Sequence, residues 1–260
     1  GARIHYLDRP PTASALMPAL AKVRPTVIAS VPLIMEKIYR GKIVPTFQKK
    51  AITRKLYGWD WSRKILHRIA GKQLMKLFGG RMRFFAIGGA KFDSEAERFL
   101  YESKFPYGIG YGLTETAPLV AGCVGDMVRI GSTGPALPAV QIRLDDINPE
   151  TGQGEIVVKT PCCMKGYYKN EEATKAVFTE DGWFRTGDLG AISEDGWIFI
   201  KGRLKNMIVG PSGENIYPED IEEVLNSNRF VAESVVTEED GKLIALVHFD
   251  TSALEEYYDE

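Results

Sequence analysis

Apolar positions in the first hundred residues fall into two periods. Ser14 to Val23 carries the helical one and leads into Thr26 to Ser30, where Val27-Ile28-Ala29 predicts a buried strand. Pro32 then opens a helix bearing Leu33, Ile34 and Ile38, because proline is tolerated in a first turn. Further on, Ile65, Leu66, Ile69, Leu74, Leu77 and Phe78 fit one or two amphipathic helices, with breaks expected near Gly58 and Gly71. Arg83 to Ile87 predicts a short strand that ends at Gly88-Gly89-Ala90. Asp93 or Ser94 would cap a helix reaching Glu102. A second strand near Tyr107 runs into Gly108-Ile109-Gly110-Tyr111-Gly112.

From Met127 to Arg203 the pattern changes to short strands and turns. Gln141–Leu144 and Glu155–Lys159 predict one hairpin; Leu189–Ser193 and Trp197–Lys201 predict another around Glu194-Asp195-Gly196. After a strand at Met207 to Val209, Pro218 marks a helix start, with Glu219 and Asp220 suited to its positive N-terminus. Strands at Val231–Thr237 and Leu243–Phe249 follow, joined by Asp240-Gly241. The fold class is α/β, with a β-rich subdomain at about 122–203. A second small domain begins near Lys205 and is incomplete, since one helix and three strands bury little alone.

Composition narrows the function more than the fold. The 33 Lys and Arg nearly balance the 34 Asp and Glu, so no overall field favours nucleic acid as a partner. No apolar run is long enough to span a bilayer. Cys123, Cys162 and Cys163 show neither zinc spacing nor a disulfide framework, and a reducing, cytoplasmic setting is the default. Only three histidines occur, none in a glycine-rich segment, which disfavours an imidazole base. Charge is nevertheless uneven. Phe47 to Lys76 holds nine Lys or Arg against one acid, Asp60. That stretch, 47–76, reads either as peripheral membrane contact or as a solvated helix face, the usual fate of charge runs.

Three short motifs carry candidate chemistry. Tyr111-Gly112-Leu113-Thr114-Glu115 ends a glycine-rich strand, where a ligand can approach the backbone closely. An aromatic there can stack on a base, a hydroxyl can meet a phosphate oxygen, and a carboxylate can hold Mg²⁺. Thr186-Gly187-Asp188 presents a carboxylate able to accept from two ribose hydroxyls. Gly202-Arg203-Leu204-Lys205 offers a cation after the next hairpin. Each alone also reads as an ordinary surface turn, strand connection or solvated arginine.

Their order says more. Gly88-Gly89-Ala90, Tyr111 to Glu115, Thr186 to Asp188 and Arg203 to Lys205 resemble the ordered nucleotide motifs of the adenylate-forming superfamily. Ser212 to Glu222 looks like that family's loop and helix beyond its interdomain hinge. Pro25-Thr26-Val27 through Val31-Pro32, with Glu36-Lys37-Ile38-Tyr39, resemble its long-chain acyl-CoA synthetase branch. The resemblance implies that residues 1–204 are the C-terminal part of a large nucleotide- and acyl-binding domain and that 205–260 begin a small mobile one. It implies nucleotide contacts from Gly88, Gly89, Ala90, Gly110, Tyr111 and Gly112, with Tyr111 stacking on the base. Thr114 would meet the α-phosphate, Glu115 would ligate Mg²⁺, Asp188 would bind the ribose with Arg203 beside it, and Lys205 would be the hinge. ATP and CoA would be co-substrates and a fatty acid the acyl donor.

The family's Ser/Thr/Gly-rich phosphate loop and its C-terminal catalytic lysine are not in this sequence. The expectation is therefore an internal piece of a longer ligase, inactive by itself. Two other readings within reach are a related enzyme with another acid or acceptor, and a non-catalytic nucleotide-binding or interaction module. A dinucleotide fingerprint fails because Leu113, Thr114 and Glu115 stand where a third glycine and helix belong. A serine hydrolase fails for want of a Gly-x-Ser-x-Gly elbow.

Overall fold

The computed structural model describes residues 2–6, 13–48, 51–210, 215–228 and 230–258. The chain divides into two compact units, residues 1–110 with 123–131, and residues 111–122 with 132–260.

The first unit alternates helices with parallel strands. Helix α1 (Ala13–Val23) precedes β1 (Val27–Ser30), and α2 (Pro32–Ile38) starts on its proline. A π-helical turn, Tyr39–Ile43, joins α2 to α3 (Val44–Gln48), after which come α4 (Ala51–Tyr57) and α5 (Asp60–Leu77). Then follow β2 (Phe84–Gly88), α6 (Ser94–Ser103) and β3 (Tyr107–Gly112), with strand order β1-β2-β3; the next strand in the chain, β4 (Leu119–Val124), has residues 119–122 in the second unit. β1, β2 and β3 are parallel, with Ala29 opposite Ala86 and Phe85 opposite Tyr107, and the intervening helices supply the crossovers parallel strands require. Fully buried Met35, Leu74, Phe78, Phe85, Phe99 and Leu100 form the core. Each contributes about 1.5–3 kcal/mol by leaving water.

Two expected helix signals fare differently. Asp93 is the cap: its Oδ1 accepts from the Ala96 N–H at 2.7 Å. Gly58 separates α4 from α5 as expected, but Gly71 breaks nothing and lies inside α5. A Cβ there would sit 2.6 Å from Ser103 Cβ, so the glycine lets α5 and α6 approach. That packing offsets the roughly 1 kcal/mol a mid-helix glycine costs. The same two helices share a buried ionic tie. Arg63 Nε and Nη2 donate to the two Glu102 oxygens at 3.1 and 2.8 Å, and His67 Nδ1 lies 2.8 Å from Glu102 Oε2.

The second unit holds an antiparallel meander, β5 (Gln141–Asp145), β6 (Gly154–Lys159), β7 (Phe184–Ile192) and β8 (Ile198–Arg203), which includes both expected hairpins. A helix the sequence pattern did not announce, α7 (Glu171–Val177), sits between β6 and β7, capped by Asn170. Ile156, Val158, Phe184 and Ile198 join Tyr111, Val120 and Ala121 in one apolar cluster. The chain continues through β9 (Ile208–Val209), β10 (Asn215–Ile216), α8 (Pro218–Asn226), β11 (Val231–Glu239), β12 (Lys242–Phe249) and α9 (Thr251–Tyr258). Asp240 and Gly241 take φ values of 52° and 71°, the turn geometry a two-residue hairpin favours. Ser212, Gly213 and Glu214 of the segment leading into α8 lie outside the described residues.

In the first unit, Glu97 is 1% exposed; it accepts from the Gly131 N–H at 2.8 Å and faces the Tyr107 hydroxyl at 3.5 Å. Burial pushes its carboxyl up to about 7, against the opposing pull of those two donors. The folded state thus holds a proton the unfolded chain releases near its ordinary value. Its stabilisation is complete below about pH 4.5 and is lost as pH rises through about 7, a change of about 3 kcal/mol. Glu97→Gln should flatten this part of the pH profile in denaturant titrations; parallel profiles for variant and wild type would refute the assignment.

Candidate active site

The candidate residues fall in both units, and each set is held by its own local geometry. In the first unit, β2 ends at Gly88, in register with Gly110 of β3. Gly89 turns the chain with φ 91°, and it and Ala90 are exposed. The turn is anchored from α2 and the π-helical segment. Glu36 Oε1 accepts from the Asp93 N–H at 2.9 Å, and Arg40 Nη2 donates to Asp93 Oδ2 at 3.0 Å. The Glu36-Lys37-Ile38-Tyr39 run therefore has a structural task, steadying the loop that follows the glycines.

In the second unit, Asp188 is the most constrained of the set. It is 5% exposed and pairs with Arg203 across β7 and β8. Tyr111, at the end of β3, donates its hydroxyl to Asp188 Oδ2 at 2.6 Å, while Arg203 Nε lies 2.9 Å from Oδ1. Arg203 Nη1 also donates to the Thr186 carbonyl at 3.0 Å. Burial raises the Asp188 carboxyl above its ordinary range, and the Tyr111 hydroxyl and Arg203 pull against that rise. The Tyr111 phenol is pushed far up, by burial first and by the Asp188 charge second. Its ring belongs to the apolar cluster of this unit and keeps 9% of its surface open.

Thr114 and Glu115 ride on a short 3₁₀ turn, Thr114–Thr116. Thr116, fully buried, pins that turn: its Oγ1 accepts from the Leu113 N–H at 3.1 Å and lies 2.7 Å from the Pro118 carbonyl. Gly112 is obligatory here, since a Cβ would come within 1.7 Å of the Pro118 oxygen. Thr114 is exposed, and its hydroxyl has no protein partner among the described residues. Glu115 is steadied from elsewhere. Its carbonyl accepts from the Met164 N–H at 2.7 Å, and its Oε1 accepts from the Tyr167 hydroxyl at 2.9 Å. Sequence reasoning missed Tyr167, which belongs to none of the motifs read from the sequence. Lys205 is exposed on the 3₁₀ turn Leu204–Asn206.

Among the described residues no group of three or more His, Cys, Asp or Glu could cage a metal ion. The one carboxylate on the Thr114 turn suits a different arrangement. Mg²⁺ is commonly held by one or two carboxylates plus substrate phosphates, and Glu115 keeps one oxygen without a protein partner among the described residues.

Comparison with known proteins decides the family. AMP-binding enzymes match residues 1–168. The chain belongs to that family. A long-chain-fatty-acid–CoA ligase of Mycobacterium tuberculosis is 32% identical over 92% of the chain. The peroxisomal long chain acyl-CoA synthetase 6 of Arabidopsis thaliana is 32% identical over 93%. The chain spans 42% and 38% of those two relatives' lengths. Among solved structures, ATP-bound MatB from Rhodopseudomonas palustris matches with a TM-score of 0.67 at 29% identity, over 91% of this chain and 43% of that one. The AMP-bound didomain of carboxylic acid reductase from Segniliparus rugosus reaches a TM-score of 0.72 at 26% identity, covering 95% and 34%. The fold is that of adenylate-forming enzymes, as the ordered motifs implied.

The hydroxyl of Tyr111 offers a direct test of the Asp188 environment. Tyr111→Phe leaves Oδ2 buried without its donor and should cost about 1–3 kcal/mol in urea unfolding. Unchanged stability would mean the bond is not held in solution.

Proposed function

We propose that this chain is part of a long-chain fatty acid–CoA ligase that forms an acyl-adenylate from MgATP and passes the acyl group to CoA. The single observation carrying this reading is the Tyr111–Asp188–Arg203 network in the same unit as the Thr114–Glu115 turn. A buried carboxylate in mid-strand, held by a phenol and a guanidinium, retains lone pairs for two adjacent ribose hydroxyls. Residual Tyr111 ring surface would face the base, with Gly112 permitting close approach. Thr114 would donate to the α-phosphate. Glu115 would hold Mg²⁺, which when bound neutralises phosphate charge; Tyr167 would fix the carboxylate for that task.

The acid's carboxylate would attack the α-phosphorus, breaking the bond to pyrophosphate. The CoA thiol would then attack the acyl carbon, releasing AMP. Such chemistry depends on positioning and charge stabilisation, not on a protein nucleophile. Cys123 is buried, and burial raises its thiol pKa, as suits a structural cysteine. Lys205 would be the pivot separating the two half-reactions, with residues after it moving between them. Similarity to proteins named long-chain-fatty-acid–CoA ligases supports the acid class. ATP and magnesium in the structure of O-succinylbenzoate CoA synthetase from Bacillus subtilis support the metal.

Two measurements test the reading. Calorimetry on this chain should show AMP binding that Asp188→Asn weakens by about ten- to a hundredfold, the effect of losing charge from a buried acceptor. In an enzyme carrying this segment, Glu115→Ala should abolish fatty-acid-dependent ATP–pyrophosphate exchange while leaving the unfolding midpoint in place. Exchange at the normal rate in that variant would overturn the assignment of Glu115.

A further inference from the structure

Helix α5 carries a pattern that nucleotide handling leaves unused. It buries Ser62, His67, Ala70, Gly71 and Leu74 on one side. On the other, Trp61, Ile65 and Ile69 recur every four residues and are 60%, 49% and 53% exposed. Trp59, just ahead of the helix, is 59% exposed. Lys64, Arg68, Lys72 and Lys76 repeat at the same spacing and are all exposed. At about 100° per residue, the apolar and basic rows lie on one arc of the helix. That arc contains no acid. Asp60, the helix's one carboxylate outside it, is held by Arg63 Nη1 at 2.9 Å. Among the described residues, none of the four basic side chains forms an ion pair.

We propose that this face of α5 lays the chain on an anionic lipid surface, a reading that does not depend on the ligase assignment. A merely solvated face gains nothing from two tryptophans and two isoleucines in water. Indole rings favour the headgroup level of a bilayer, and Lys and Arg stems lie along apolar surface while their charges reach phosphates. A second copy is a poor occupant, since face-to-face pairing would set one basic row against another. At 18 residues and about 27 Å, α5 would lie in the interface plane. Consistently, no helix among the described residues is long and apolar enough to cross a membrane.

The test uses the 260-residue chain with vesicles of phosphatidylcholine alone or mixed with phosphatidylglycerol, followed by co-sedimentation and tryptophan emission. Binding to the anionic vesicles, with a blue-shifted emission that high salt reverses, is expected. Lys64→Glu/Arg68→Glu/Lys72→Glu should weaken it roughly a hundredfold. Trp61→Ser/Ile65→Ser/Ile69→Ser should remove both the residual binding and the shift. These side chains are exposed, so the unfolding midpoint should stay near wild type, and Lys242→Glu on β12 should leave vesicle binding unchanged. Equal binding to neutral and anionic vesicles, or binding indifferent to both triple variants, would overturn the proposal. So would a concentration-dependent dimer in sedimentation velocity that the serine variant dissolves, because the face would then be a self-association surface. Loss of AMP binding without loss of vesicle binding would instead fault the ligase reading alone.

Discussion

A carboxylate removed from water at Asp188 is the constraint around which the second unit is arranged. Stripping its hydration costs several kcal/mol unless donors replace the lost water. The replacements come from distant parts of the chain, the Tyr111 hydroxyl 77 residues away and Arg203 on the neighbouring strand. Thr186 tightens the arrangement. Its hydroxyl accepts from the Asp188 N–H at 3.1 Å and lies 2.7 Å from the Ile156 carbonyl, linking the charge to β6. Misregister between β7 and β8 would strand the charge, so pairing of the meander and placement of the motifs are one requirement. The carboxylate is therefore held in place by the fold itself.

Glu115 sits in a contrasting environment. It is half-buried, and among the described residues only one of its oxygens has a protein donor, Tyr167, while the turn beneath it is fixed by Thr116 and by the lack of room at Gly112. The backbone is thus rigid where the carboxylate is still accessible. Two carboxylates in one unit are set apart by surroundings. One is enclosed, with its pKa raised by burial, and the other is presented. This division suits a group that shapes a binding surface and a group that meets a cation.

Where signals are local, the sequence was readable. Pro32 and Pro218 at helix starts, Asp93 as a cap and Asp240-Gly241 as a hairpin turn each act within a few residues, and each is found where the pattern put it. Misreadings arose where a residue's environment is set by a remote partner. Gly71 looked like a helix break because its reason, Ser103, is 32 positions away and visible only when α5 packs on α6. Tyr167 was overlooked because its hydroxyl answers to Glu115, 52 residues earlier. Helix α7 escaped notice because seven residues between strands give too short a window for periodicity. The motifs themselves were legible only through their order, since each is a few residues long and the contacts that unite them are non-local.

The ionic tie inside the first unit bears on what that unit presents to its surroundings. Arg63 grips both oxygens of Glu102, and His67 stands one turn further along α5 against the same carboxylate. Burial holds His67 below its usual pKa although Glu102 pulls the other way, so the ring need not be charged to fill this space. Two points of contact a turn apart fix the rotation of α5 about its axis, as a single apolar contact would not. Tyr57, at the end of α4, adds a third by placing its hydroxyl 3.0 Å from His67 Nε2. With that rotation fixed from the buried side, the residues on the opposite arc are determined as well. Trp61, Ile65 and Ile69 stand in water beside Lys64, Arg68 and Lys72 because polar geometry beneath the helix leaves them no other orientation. Turning the helix to hide the isoleucines would pull Arg63 off Glu102 and leave a buried carboxylate without its partner, a loss of about 3–5 kcal/mol. The two isoleucines are 49% and 53% exposed, so hiding the remainder would recover only about 1.5–3 kcal/mol; the exposed row persists, and an apolar surface that accepts it would gain that amount without disturbing the tie.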